Sequence, residues 1–299
     1  MVGLGELFGE SVDDVARRPR PMVVPLLLDL ATFAFAALLL ALVLNSPGLA
    51  ADPRGFGFFH FGIPRGLPSL GDVLAPLAPE ALRPPEGLLA ATAALFAALP
   101  LAAYLEGGFI GWLAKMPDLP PPDEARRSFH LDAVRSFWPL LGLRALFLVL
   151  TLGAATVAAR YPALRDLDVA VLLLEFILIF APYVVVLEGL GFFTAIRRSA
   201  SLFSQAPATC LSMLLFLLLT TAAALTVVNP VVRLVGLPGG LAFGMVVYAP
   251  VGTILSLFVL RVYQALNPKE EDPAAVTTPL MSETPRPKET KWGVEGRSP

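Results

Sequence analysis

Residues 208–229 read ATCLSMLLFLLLTTAAALTVVN, an apolar run that contains no charged side chain. A helix needs about 20 residues of this kind to cross the hydrocarbon core of a bilayer. A soluble domain would instead alternate shorter apolar and polar stretches. The run therefore predicts a transmembrane helix, and it sets the pattern for the rest of the chain.

Five further apolar blocks have similar lengths, so the sequence predicts an all-α, polytopic membrane protein with a bundle of about six transmembrane helices. The composition agrees, because 56% of the 299 residues are hydrophobic and 15% are charged, whereas soluble domains are about 25% charged. The predicted transmembrane domain covers residues 21–265. Its helices are expected at about 22–45, 87–114, 137–159, 167–188, 208–229 and 239–262.

Two short amphipathic helices are expected beside the bundle. Residues 1–20 contain the first, a cytoplasmic lead with apolar residues at helical spacing. The second, in residues 192–203, carries Arg197 and Arg198 on its polar face. Either helix could lie flat at the inner membrane surface, where positive charge suits anionic lipid. The alternative is a plain surface helix that anchors the bundle.

The distribution of lysine and arginine predicts the orientation of the chain. These residues are in excess in the segments on the side of the N-terminus, and such an excess marks the cytoplasmic side. We therefore expect a multi-pass protein of the cell membrane with both termini cytoplasmic. In a bacterium this membrane would be the inner membrane. Residues 266–299 are rich in proline and charge and are expected to be a disordered cytoplasmic tail.

The predicted external loop, residues 46–86, is long and contains the aromatic run GFGFFHFG at 55–62. Aromatic rings are favoured at membrane interfaces, and long loops are often functional. Two interpretations stay open for this loop: a cap that dips into the interface, or a binding loop.

Ionisable residues inside the apolar blocks are the candidate functional site, because a charge at the bilayer centre costs at least ~2.5 kcal/mol unless it is paired. Asp29, Glu106 and Arg144 each lie about 8 residues, or roughly 12 Å, from the cytoplasmic end of their predicted helices. An arginine can bond two carboxylates at once. The spacing predicts an Asp29–Arg144–Glu106 cluster. It is either a structural lock, the favoured interpretation, or a site for protons or an anionic head group.

Glu175 is the fourth intramembrane candidate, and no cation is expected at its depth. One interpretation is a hydrogen bond from a neutral carboxyl to a backbone carbonyl that a proline kink leaves free. Pro182, in the same block, predicts such a kink. The alternative is a proton relay, since intramembrane acids often mark proton paths.

A glycine patch at Gly107, Gly108 and Gly111 surrounds Glu106. Small residues on one helix face allow a second helix to approach closely. The patch therefore predicts tight packing of another helix near Glu106.

Several function classes are disfavoured. The single cysteine, Cys210, excludes a disulfide within the chain and a cysteine-based zinc site. His60 and His130 are too few and too far apart for a histidine metal centre, and no phosphate-binding loop or hydrolase motif is present. The net charge of −2 gives no basic surface for nucleic acid. The sequence predicts no cofactor, no metal and no enzyme activity, and an intramembrane enzyme that uses sparse carboxylates stays the least favoured alternative.

The segment after the fourth block reads EGLGFFTAIRRSASLF at 188–203, and RSFWPLL stands at 135–141. These stretches, with Pro25 after an amphipathic lead, resemble uncharacterised bacterial six-helix membrane proteins. That family is similar to the membrane domain fused to some glycerophosphodiester phosphodiesterases. The residues that match its pattern are Ala195, Ile196, Arg197, Arg198, Ser199 and Leu202.

The resemblance implies a six-helix plan with a surface helix after the fourth helix. It implies no phosphodiesterase activity, because the hydrolase domain of the fused members is not in this sequence. We expect a scaffold or partner subunit in envelope or lipid homeostasis, which contacts the bilayer and a partner membrane protein. The alternative is a transporter or permease-like protein that uses the intramembrane charges.

Overall fold

The computed structural model describes residues 3–44, 66–68, 85–116, 122–161 and 167–268, and these residues contain helices and no strand. A short 3₁₀ turn, Arg20–Met22, precedes the second helix. The helices are α1 Leu4–Arg17, α2 Val23–Leu44, α3 Pro85–Ala114, α4 Pro122–Arg160, α5 Leu167–Ile177, α6 Ala181–Glu188, α7 Phe192–Gln205 and α8 Pro207–Leu266. The aromatic run 55–62 and nearly all of the tail 266–299 lie outside the described residues.

Five helical stretches in the described residues are long and apolar enough to cross a membrane. They are Phe96–Ala114, Asp123–Ala154, Val169–Glu188, Pro207–Val228 and Ala242–Leu266. The first predicted span, 22–45, coincides with the 22-residue helix α2. Whether α2 also crosses the membrane is not tested, so the sixth span stays a prediction.

Helix α8 contains two of these spans, although its backbone is helical throughout. Phe216 and Phe258 would lie about 63 Å apart along a straight helix at ~1.5 Å per residue. Their ring centroids are instead 5.8 Å apart. Leu225 and Met245 also belong to one buried cluster. The chain must therefore double back between these two residues, and it does so within helical turns rather than through the break expected at 230–238.

Helix α4 begins at Pro122, about 15 residues before the start predicted from hydropathy. Its polar first part packs on the glycine patch of α3. A Cβ at Gly107 would overlap Ser136, and one at Gly111 would overlap Asp132. The close helix approach predicted from these glycines is confirmed, whereas the predicted helix start at 137 is wrong.

The fourth predicted helix, 167–188, is interrupted between α5 and α6 at residues 178–180. The N–H of Ala181 donates to the carbonyl of Leu178 at 2.9 Å, so the carbonyl of Ile177 loses its usual helical partner. The hydroxyl of Ser199 donates to that carbonyl at 2.9 Å. A side chain of α7 therefore satisfies the break beside Pro182, as a membrane interior requires.

Helix α1 packs on α8 through its apolar face. The ring of Phe8 lies 5.8 Å from that of Phe216 and 5.6 Å from that of Phe258. Arg261 of α8 pairs with Glu10 at 2.7 Å and Asp14 at 2.5 Å on the opposite face of α1. This packing favours the second interpretation of residues 1–20, a helix that anchors the bundle, and the position of α1 at the membrane surface stays a prediction.

Candidate functional site: a buried ion pair bonded to an inserted segment

Glu106 and Arg144 meet where α3 and α4 pack closely. Arg144 Nε donates to Glu106 Oε2 at 2.6 Å, and the two side chains are 12% and 2% exposed, respectively. The glycine patch that directly follows Glu106 allows α4 to come near enough for this contact. A charge-assisted hydrogen bond of this kind is about twice as strong as a neutral one. Two of the three residues of the predicted cluster are thus brought together.

A three-residue segment of the predicted external loop completes the site. Residues 66–68 are buried, and the N–H of Leu67 donates to Glu106 Oε1 at 3.3 Å. Arg144 Nη2 donates to the carbonyl oxygen of Leu67, also at 3.3 Å. One peptide segment therefore bonds both members of the ion pair. Neither interpretation of the loop, the interfacial cap or the binding loop, anticipated that part of it lies in the protein core.

The fit of this inserted segment depends on glycine. A Cβ at Gly66 would overlap the Glu106 carboxylate and press on Pro182 of α6. On the other side, Pro68 fills the space where a Cβ of Gly252 would stand. The segment thus lies between α3, the start of α6 and the second half of α8. It lies between the ion pair and the break that separates α5 from α6.

A further hydrogen bond joins α6 to α8 in the same part of the core. Tyr183 follows Pro182 directly, and its hydroxyl donates to the carbonyl oxygen of Ser256 at 3.0 Å. Both residues are almost fully buried. The break before α6 and the second half of α8 are therefore fixed to each other beside the inserted segment.

Asp29 and Glu175 occupy other positions in the core. Asp29 is fully buried on α2, which packs on α3, and its membership of the cluster stays a prediction. Glu175 lies on α5 and is 8% exposed. Its Oε1 accepts a hydrogen bond from Thr151 of α4 at 3.2 Å. This carboxylate therefore ties α5 to α4, and the proton-relay interpretation stays a hypothesis.

Arg197 and Arg198, expected to act together, have different environments. Arg197 is exposed, whereas Arg198 Nη2 donates to Asn267 Oδ1 at 2.7 Å. Asn267 Nδ2 donates in turn to Glu188 Oε1 at 2.8 Å, and the hydroxyl of Tyr263 donates to the same oxygen. These contacts join the ends of α6 and α8 to α7. Arg198 therefore belongs to a polar cluster between helices, which leaves Arg197 as the exposed cation of the pair.

Sequence reasoning missed the inserted segment and the bond from Ser199. The segment acts through backbone atoms, which every residue possesses, so side-chain types gave no signal. Ser199 was noted only within the family pattern, and its role depends on a break whose exact position was unknown. The described residues contain no group of three or more His, Cys, Asp and Glu side chains that could hold a metal ion.

Large apolar side chains on the outside of the bundle complete the description of its class. Leu211, Leu215 and Leu219, four residues apart on α8, are all more than half exposed. Such a stripe suits contact with lipid and is rare on a soluble surface. With five apolar spans, these features define a multi-pass α-helical membrane protein. The chain matches no protein-family model, no curated protein and no solved structure.

Proposed function

We propose that the protein is a non-enzymatic membrane scaffold or partner subunit, active in envelope or lipid homeostasis, with both termini cytoplasmic. Its intramembrane charges serve to fix the helix arrangement. The observation that carries this proposal is that both carboxylate oxygens of Glu106 and two nitrogens of Arg144 bond within the protein.

A pair bonded in this way favours a structural role. Leaving one member of a buried ion pair without its partner costs about 3–5 kcal/mol, and a fully satisfied buried network fixes a single packing. A ligand that replaced the bonds to Glu106 Oε1 and Arg144 Nη2 would have to displace the backbone of Leu67. Most of the bonding capacity of the pair is therefore used inside the protein, as a lock between helices requires.

Native mass spectrometry of the gently extracted protein tests the proposal. We expect a second polypeptide to co-purify, and we expect its binding to survive Arg144→Met in whatever fraction of that variant stays folded. The matched control is Arg126→Met, which removes an exposed arginine from the same helix. A small molecule that binds the wild type and is lost only in Arg144→Met would contradict the scaffold proposal.

A transporter is the second candidate, and one observation favours it. Irregular backbone at two places, residues 66–68 and the break before α6, meets the ion pair at the same point. Transporters often build their substrate sites from broken helices and non-helical segments near the bilayer midplane. On this hypothesis the inserted segment leaves the ion pair during transport. The co-purified small molecule described above is the result that would support it.

A further inference from the structure

One flank of the molecule combines exposed arginine with exposed aromatic rings. On α4, Arg135, Trp138 and Gly142 follow each other at helical spacing and share one face. Arg135 is exposed, and Trp138 is 74% exposed. This face of α4 meets the corner between α6 and α7, where Phe193 is 76% exposed.

Two glycines place the elements of this flank together. Gly189 ends α6 in the left-handed conformation, with φ of 68°, and a Cβ there would overlap the guanidinium of Arg135. A Cβ at Gly142 would stand 3.2 Å from the ring of Phe192. Arg135 thus lies against the corner that starts α7, and Trp138 stands on α4 between this contact and the contact of Gly142 with Phe192. Arg197 is exposed one turn after Phe193 on the same face of α7.

The acidic side chains nearest to this flank are already bonded elsewhere. Asp132, one turn before Arg135, pairs with Lys115 at 2.5 Å. Glu188 accepts hydrogen bonds from Tyr263 and Asn267. Within the part of the chain that the structure describes, no ion pair involves Arg135 or Arg197. The flank therefore keeps two exposed positive charges beside two exposed aromatic rings.

We propose that this flank binds the phosphate head group of an anionic phospholipid, with Arg135 and Arg197 as its ligands and Trp138 and Phe193 as its interfacial anchors. Guanidinium groups match phosphate oxygens in geometry and charge. Tryptophan and other aromatic rings are favoured at the level of the head groups. The proposal replaces the expected pair Arg197–Arg198, because Arg198 bonds to Asn267. It does not depend on the Glu106–Arg144 lock.

Trp138 supplies the probe for this site. The variant Trp112→Phe/Trp292→Phe keeps Trp138 as its sole tryptophan. The indole N–H of Trp112 has no hydrogen-bond partner among the described residues, so this change costs no bond there. The protein is placed in phosphatidylcholine nanodiscs that contain an equal fraction of either brominated phosphatidylglycerol or brominated phosphatidylcholine. Quenching of Trp138 fluorescence then reports which lipid lies beside the flank.

We expect brominated phosphatidylglycerol to quench Trp138 at least about twofold more than brominated phosphatidylcholine, because basic residues concentrate anionic lipid near them. Arg135→Gln/Arg197→Gln should bring the ratio close to one. The control Arg126→Gln/Arg127→Gln removes two exposed arginines from the first turns of α4 and should keep the ratio. Equal quenching in the parent protein would overturn the proposal, even if the variant fails to fold. An equal fall of the quenching ratio in the control variant would also overturn the proposal, because any exposed arginine of the protein would then attract anionic lipid equally well.

Discussion

Two Glu–Arg combinations in this molecule behave differently. Glu106 is almost fully buried and Arg144 is 12% exposed, and the arginine bonds the carboxylate directly at 2.6 Å. Glu188 and Arg198 are about a quarter and a third exposed, with 3.8 Å between Nε and Oε1. There the carboxylate bonds mainly to the neutral groups of Tyr263 and Asn267. Burial therefore decides the role of the arginine: inside the bundle it must neutralise the acid, and at the helix ends other donors suffice.

The largest expected effect is that of Arg144→Met. This change leaves the Glu106 carboxylate buried without its cation and removes the bond to the Leu67 carbonyl. We expect the free energy of unfolding in lipid–detergent micelles to fall by about 3–5 kcal/mol. Arg126→Met, at an exposed position of the same helix, should change it by less than about 0.5 kcal/mol. Similar small effects for both variants would show that the pair is not a lock.

The next effect is expected at the inserted segment. Gly66→Ala adds a Cβ that overlaps the Glu106 carboxylate. Overpacking of a buried site typically costs about 1–3 kcal/mol, and we expect a loss of stability in this range. Gly9→Ala is the matched control, because a Cβ at Gly9 meets no atom within 4 Å. A Gly66→Ala protein as stable as the wild type would mean that residues 66–68 do not lie against Glu106.

A smaller effect is expected at the break between α5 and α6. Ser199→Ala leaves the Ile177 carbonyl without its side-chain donor in an apolar environment. Such interhelical hydrogen bonds in membranes contribute about 1 kcal/mol, so we expect a loss of that size in the unfolding free energy. Ser204→Ala removes an exposed hydroxyl of the same helix and should be neutral. Equal effects of the two changes would contradict the role assigned to Ser199.

The smallest effect is expected in the partly exposed cluster. Arg198→Gln removes a charge that lies 3.8 Å from Glu188, and exposed ion pairs contribute only about 0–1 kcal/mol. We expect a stability change below that limit, weaker still at high salt. The comparison with Arg144→Met is the control. If Arg198→Gln proved as damaging as Arg144→Met, burial would not explain the difference between the two pairs.

The sequence predicted the membrane class because apolar block length is a strong signal. It also predicted that Glu106 and Arg144 lie at one depth, although the assumed start of the third helix was about 15 residues late. The predicted pairing survived this error because the depth was counted from the edge of the apolar block, which does not depend on where the helix itself begins. The prediction from the glycine patch was also correct, because a helix face without side chains allows another helix to pack closely.

The remaining features could not be predicted from side-chain patterns. Insertion of residues 66–68 depends on backbone hydrogen bonds, which leave no trace in hydropathy or charge. The different environments of Arg197 and Arg198 depend on the direction in which each side chain points from α7. Adjacent residues on a helix differ in direction by about 100°, and the neighbouring ends of α6 and α8 then decide which one is bonded.

A double-mutant cycle between Glu106 and Arg144 tests the central claim most directly. The free energies of unfolding of Glu106→Gln, Arg144→Met and the double variant would be measured under one lipid–detergent condition. If the pair is a lock, the double variant should be less damaged than the sum of the single changes, by more than about 2 kcal/mol, because neither charge is left alone. Additive losses, equal to within about 0.5 kcal/mol, would contradict the lock and mean that the two residues act independently.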